Sequence, residues 1–361
     1  MKMNKSWLMV FAAVAALTAA QTVSAASAPS RYTVTDLGTL PGLGNSYAWG
    51  GINSQGHVPV YATDSTDQNV FLGASSFLWN GPGDIQLLPG PTGATTTVAF
   101  GLNDLDQVVG ASGPASQGQY LGVLWEGGNS IFLNPLPGYT DSEAYAINNS
   151  GLVVGSSFDF SVDPFLRSAV CWYKGKILLL PPSNGAMISA PYAVNDWGQV
   201  VGVSGNRAIL WSTFPKASVA DLGTLGGDGS VAWAINKGGQ IVGGAQTVSG
   251  EWHPALWNGT AIIDLQNLDR DTMGFAYGIN NCGQIVGYSG PDKNGSDLHN
   301  THALLWEDGQ VINLQTQIPV NSGWVLRQAT GINDRGQITG IGQHNGKNRT
   351  FLLTPVNAPP H

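Results

Sequence analysis

Short apolar runs alternate with stretches rich in Gly, Asn and Ser from about Tyr32 to Pro355, and no part of that span sustains a helical period. One nine-residue pattern recurs: an aliphatic residue, Asn, two variable residues, Gly, Gln, two aliphatics and Gly. Ile235–Gly243 and Ile279–Gly287 are its fullest copies. Its Asn falls at Asn53, Asn103, Asn148, Asn195, Asn236, Asn280 and Asn333, a repeat of about 47 residues. Each repeat reads as four short strands. The first is small-aromatic-small-aliphatic-Asn, as in Ala144–Asn148. Asn-x-x-Gly then makes a turn, with Asn starting it and Gly taking positive φ. The second copy has Asp106 in that Gly slot, and Asp tolerates the left-handed region better than most residues. The second strand is Gln-Val-Val-Gly. The third ends in Leu-Trp or a near match, at Trp79, Trp125, Trp172, Trp211, Trp257 and Trp306. The fourth carries Asp-Leu-Gly-Thr-Leu, complete at Asp221–Leu225 and again at Asp36–Leu40.

Four strands in each of seven copies predict an all-β chain, a seven-bladed β-propeller of four-stranded blades. The ends of the chain extend this expectation. A fourth-strand motif, Tyr32–Leu40, precedes any first strand, and a third strand near Arg349–Leu353 has no fourth after it. Pairing the two closes the ring, the N-terminal strand joining the C-terminal blade, and removes exposed edges. The recurring Trp residues are expected to pack blade against blade.

Composition narrows the class. Charged residues make up 11% of the 361, against a typical share of about a quarter, and the net charge is −8. That excludes coiled coil and basic nucleic-acid arms. The 49 glycines fit turns, bulges and strand ends. Lys2 and Lys5, the apolar run Leu8–Ala20 and Val23-Ser24-Ala25 read as a signal peptide over 1–25, leaving one domain over 26–361. The apolar run is short of the ~20 residues of a membrane span. The expectation is therefore an exported protein, periplasmic or extracellular, monomeric, with no membrane insertion after cleavage. Cys171 and Cys282 occupy different slots of different repeats, so a disulfide between them is not expected.

With these patterns assembled, the chain resembles the bacterial exported proteins built from HAF repeats, named for a third strand reading His-Ala-Phe before Leu-Trp. His302-Ala303-Leu304-Leu305-Trp306 and His253-Pro254-Ala255-Leu256-Trp257 carry the resemblance, with Asp221–Gly227 and Ala232–Asn236. It implies a repeat architecture and an extracellular location, and it implies no catalytic residue or cofactor.

Candidate chemistry is sparse. The connections from second to third strand differ in length between repeats, whereas the Asn turns are alike. Recognition is therefore expected on the variable-loop face. Candidate ligand-binding residues there are Asp159 and Asp163 beside Phe158 and Phe160, Glu251, Trp252 and His253, and Asp292, Asp297 and His299. Asp297-x-His299-x-x-His302 has a short metal-ligand spacing, but a loop lacks the fixed geometry of a helix face, and no metal or other cofactor is assigned. Trp252 and Trp324 stand outside the repeated core slots and are candidate sugar platforms. The chain has no Gly-x-Ser-x-Gly elbow, no His-Glu-x-x-His and no Walker loop. The leading expectation is a non-enzymatic protein that binds a protein or carbohydrate ligand and no nucleic acid. The alternatives are a polysaccharide hydrolase or lyase with acids at the channel mouth and a structural cell-surface protein.

Overall fold

The computed structural model describes residues 30–69, 71, 73–114, 120–159, 162–212, 218–291 and 300–356. The chain is all-β, as the pattern predicts. Among the described residues there are five four-stranded sheets and one of eight strands, the latter two antiparallel four-stranded runs joined by a single parallel bridge between Trp252 and Met273. Each Asn repeat supplies its own run. In repeat 3 the strands are Asp141–Ile147, Val153–Asp159, Asp163–Tyr173 and Lys176–Leu179, paired in chain order. Repeat 7 supplies Trp324–Ile332, Ile338–His344 and Lys347–Pro355, and the fourth strand of that sheet is Tyr32–Asp36. Its register runs from Tyr32 opposite Pro355 to Asp36 opposite Phe351.

The seven Asn turns are joined side to side. Each Asn is at least 94% buried. Its Oδ1 accepts from backbone N–H groups within its own turn, as Asn280 does from Cys282 and Gln284. Its Nδ2 donates to the carbonyl of the next repeat's Asn: Asn53 to Asn103, Asn103 to Asn148, Asn148 to Asn195, Asn195 to Asn236, Asn236 to Asn280 and Asn280 to Asn333. Asn333 donates to Asn53 at 3.0 Å, so the cycle returns to its start. In five turns the second Nδ2 hydrogen goes to the Gln four residues on, at 2.6–2.9 Å. This explains why the pattern demands Asn and Gln: Asp has no donor, and an unpaired buried amide is costly.

The Gly in the second strand of six repeats has a different cause. In six repeats the first strand carries a bulge at its aromatic slot, as at Tyr145 between Ala144 and Ala146. The bulge presses a first-strand carbonyl onto the neighbouring Gly. A Cβ on Gly155 would lie 1.9 Å from the Glu143 carbonyl oxygen, so no side chain fits.

The third-strand Trp residues pack sheet against sheet, as expected, and all six are at most 7% exposed. Four of them also donate their indole N–H to a carbonyl at the end of the preceding repeat's fourth strand: Trp125 to Pro89, Trp172 to Asn134, Trp211 to Pro181 and Trp306 to Gln266.

Asp106 does sit at positive φ, 58°. Its carboxylate accepts Asn53 Nδ2 at 2.8 Å and meets His57 Nδ1 at 2.8 Å. His57 occupies the slot where five other repeats have Gln, so Asp106 supplies the acceptor that repeat 1 lacks. His57→Gln and Asp106→Gly should each destabilise by roughly 1 kcal/mol, while the double variant, restoring the common pattern, should recover most of the loss. Urea unfolding of the four proteins measures this coupling, and strictly additive losses would contradict it.

Candidate functional site

The first strands of repeats 2 to 7 touch one another in succession. At the Asn-turn end they enclose a cavity of about 270 Å³ bordered by all seven Asn residues and by Asp104, Asp196, Lys237 and Asp334. The polar groups there are largely spent on one another. Asp104 receives the Ser54 N–H, Asn149 the Asp104 N–H, and Asp196 the Asn149 N–H. Burial pushes the Asp104 carboxyl upward, but the hydrogen bonds from Ser54 and Asn149 outweigh it and hold it below the usual carboxylate range.

Toward the opposite end the bulges turn one half-buried ring per repeat into the interior. Phe100, Tyr145, Tyr192, Trp233 and Tyr277 follow one another with centroids 4.3–5.9 Å apart, extended on one side by Phe71 and Tyr61 and on the other by Phe275 and Tyr288. Repeat 7 interrupts this wall, because its bulged residue is Thr330.

One charged cluster sits in the wall. Arg167 Nη1 donates to Glu143 Oε2 at 2.6 Å and to the Tyr145 hydroxyl at 2.8 Å, and that hydroxyl donates to Glu143 Oε2 at 2.6 Å. The guanidinium also lies 4.1 Å over the Phe158 ring. Desolvation, reinforced by the Glu143 charge, pushes the Tyr145 phenol well above its ordinary value. Burial works against the Arg167 charge, but the Glu143 carboxylate that faces and accepts from it outweighs this, so the guanidinium stays ionised. A protonated phenol and a charged guanidinium suit the cluster to offering hydrogen bonds rather than to nucleophilic attack.

The predicted residues fall in several places. Asp159 ends the second strand of repeat 3 and Asp163 begins the third, directly opposite it. Both therefore stand at the end of the sheet where Arg167 pairs with Phe158. Trp252 packs on Phe275, 5.3 Å between centroids, at the edge of the aromatic wall. Glu251 and His253 come within 4.0 Å of each other, but His253 is held more closely by Asp264, at 2.9 Å. Asp292, Asp297 and His299 lie outside the described residues, as does the predicted signal peptide. Trp324 needs correcting. It is 6% exposed, stacked on His344 at 4.6 Å and met edge-on by Phe351, so its faces are covered and offer no sugar platform.

The His253–Asp264 contact belongs to a recurring clasp between a fourth-strand Asp and a base on another strand of the same sheet. Asp221 pairs with Arg207 at 3.0 Å and Asp36 with His344 at 2.9 Å. In each clasp the Asp Oδ1 also caps the backbone N–H two residues on, at Gly38, Gly223 and Gln266. Burial raises the Asp221 carboxyl, but the Arg207 and Gly223 bonds prevail and lower it. The motif Asp of the fourth strand and the repeat His or Arg are thus intrasheet partners. Aligned slots contain that signal, since His253 and Arg207 share one column and Asp264 and Asp221 another. Glu143 and Arg167 are members of the site that sequence reasoning missed. Their only trace is two opposite charges on the first and third strands of one repeat in a chain poor in charge. Among the described residues no group of three or more His, Cys, Asp or Glu side chains is placed to hold a metal ion, and no helix is long and apolar enough to cross a membrane.

No protein-family model matches the chain, and no curated protein matches it. Solved structures do. An oligogalacturonate lyase from Vibrio parahaemolyticus has TM-score 0.57 at 12% identity, covering 89% of this chain and 93% of that one. YCF48 bound to D1 peptide has TM-score 0.55 at 10% identity, covering 92% and 99%. A puromycin-hydrolyzing peptidase of Mycobacterium tuberculosis has TM-score 0.53 at 11% identity, and the chain spans 55% of its length. The fold is a β-propeller. At such identities the likeness carries fold alone, and the fold serves both catalysts and binding proteins.

Glu143 and Arg167 keep 15% and 25% of their side-chain surface. Removing one partner leaves a largely desolvated charge, so Arg167→Met should cost roughly 2 kcal/mol. The Glu143→Gln, Arg167→Met double variant should cost less than the single change. Chemical denaturation checks this, and a double variant weaker than either single would contradict it.

Proposed function

We propose that the chain is an exported, seven-bladed propeller of the HAF-repeat type that binds a ligand without turnover at the variable-loop mouth of its channel. Of a protein and a glycan, the glycan fits the wall better. Aromatic rings accept the C–H faces of sugars, and Arg167 with Glu143 offers a charged donor and an acceptor for hydroxyls. The observation that carries the reading is this cluster, set within a continuous run of rings at the end where Asp159, Asp163 and Trp252 also stand.

Ring closure by the N-terminal strand is supported by the Tyr32–Asp36 register against Phe351–Pro355 and by the Asn333–Asn53 bond. Arg31, just before that strand, also pairs with Glu307 of repeat 6 at 2.7 Å. The Arg31 hydrogen bond holds the Glu307 carboxyl below its ordinary range. That contribution is complete above the unfolded-chain pKa and is lost as the pH falls through the lower folded value.

A binding reading predicts affinity without product. Purified protein on a glycan array should retain defined oligosaccharides. Trp233→Ala and Tyr192→Ala should each weaken that binding at least tenfold, with no reducing ends or unsaturated ends released. Undiminished binding by both variants would place the ligand elsewhere, and product release would replace binding with catalysis.

A further inference from the structure

On the Asn-turn side, repeats 4 and 5 leave between them a groove of about 710 Å³, lined by Trp197, Gln199, Leu210, Leu222, Lys237 and Trp257 among others. The corresponding space between repeats 1 and 2 is only about 10 Å³. The copied architecture therefore does not call for a groove here, and four features of the residues around it bear on what could occupy it.

First, Trp257 is 2% exposed, yet its indole N–H has no partner, whereas the equivalent Trp125, Trp172, Trp211 and Trp306 all donate to the preceding repeat. A buried donor left unpaired costs about 1–3 kcal/mol unless something else accepts from it. Second, the turn glutamines Gln107 and Gln284 pass an amide hydrogen to Glu126 and Glu307, each directly after its repeat's Trp. The position after Trp211 is Ser212, so Gln199 has no carboxylate to receive its Nε2 while its Oε1 is held by Asn195. Third, Trp197 is 75% exposed, and its indole N–H donates to the Lys237 carbonyl at 3.2 Å, which fixes the ring. Fourth, the facing turn has Gly238 where other repeats have Leu105, Ser150 or Arg335, and so leaves that space open.

The groove thus presents a fixed exposed indole, an apolar floor and unspent donors. Its only charged lining residue is Lys237, in a chain of net charge −8. Lys237 also borders the central cavity, where it helps to lower Asp104.

We propose that this groove binds a uronic-acid unit of an oligosaccharide. The C–H face of the pyranose lies on Trp197. The carboxylate meets the Lys237 ammonium. Ring or hydroxyl oxygens accept from Gln199 Nε2 and Trp257 Nε1. This site is on the opposite face from the channel mouth proposed above and stands independently of it.

Calorimetric titration of the full chain with a mannuronate trisaccharide, and with neutral cellotriose for comparison, tests the proposal. The uronate should bind at least tenfold more tightly than cellotriose. Trp197→Ala, at an exposed turn, should weaken uronate binding at least tenfold with an unchanged melting temperature. Lys237→Met should abolish the preference for the acidic sugar. Trp233→Ala, which alters only the channel, should leave uronate binding as it was. Absence of uronate binding, equal affinity for cellotriose, or binding that survives Trp197→Ala would each overturn the proposal.

Discussion

An asparagine side chain has one carbonyl oxygen and two N–H groups, and the turns of this protein employ them to hold the molecule together around its axis. The oxygen folds each turn on itself, and one N–H reaches the next turn's backbone. Because every link needs its neighbour at the same height and angle, a cycle that returns from Asn333 to Asn53 fixes all the first strands relative to one another. It also joins parts of the chain 280 residues apart. The Trp indoles repeat this logic further out, tying a third strand to the preceding repeat's fourth. Burial supplies most of the stabilisation. The hydrogen bonds set register and orientation.

From that frame follow both the glycines and the aromatic wall. A bulge in the first strand turns one ring toward the interior and at the same time drives a carbonyl onto the second strand, where only Gly fits. Architecture copied this uniformly makes departures informative. Thr330 opens the wall, Glu143 and Arg167 charge it, and Trp197 with Gly238 opens a groove on the other face.

Much of this was legible in the sequence because it recurs. Strand number, turn positions and the buried Trp set all follow from residues that return every repeat. What passes between repeats, or occurs only once, was hidden. The lateral Asn bond joins residues in different repeats, so the pattern shows the Asn but not its acceptor. Asp106 was visible as an exception, yet its reason lies with His57 in the preceding repeat. Trp324 looked free because repeat 7 begins its first strand early, over Trp324–Ile332, where His344 covers the ring. His253 looked like a ligand residue because Asp264, its partner, lies on the next strand of the same sheet.

The central claim is that the Asn cycle holds the inner strands together, and Asn333→Asp tests it most directly. The substitution keeps shape and acceptor but removes the donor to Asn53 and to Gln337, and it buries a charge. Equilibrium urea unfolding should show a loss of about 3 kcal/mol, matched by Asn195→Asp in the middle of the chain. A loss below about 0.5 kcal/mol at Asn333, within the range of ordinary surface changes, would contradict the account.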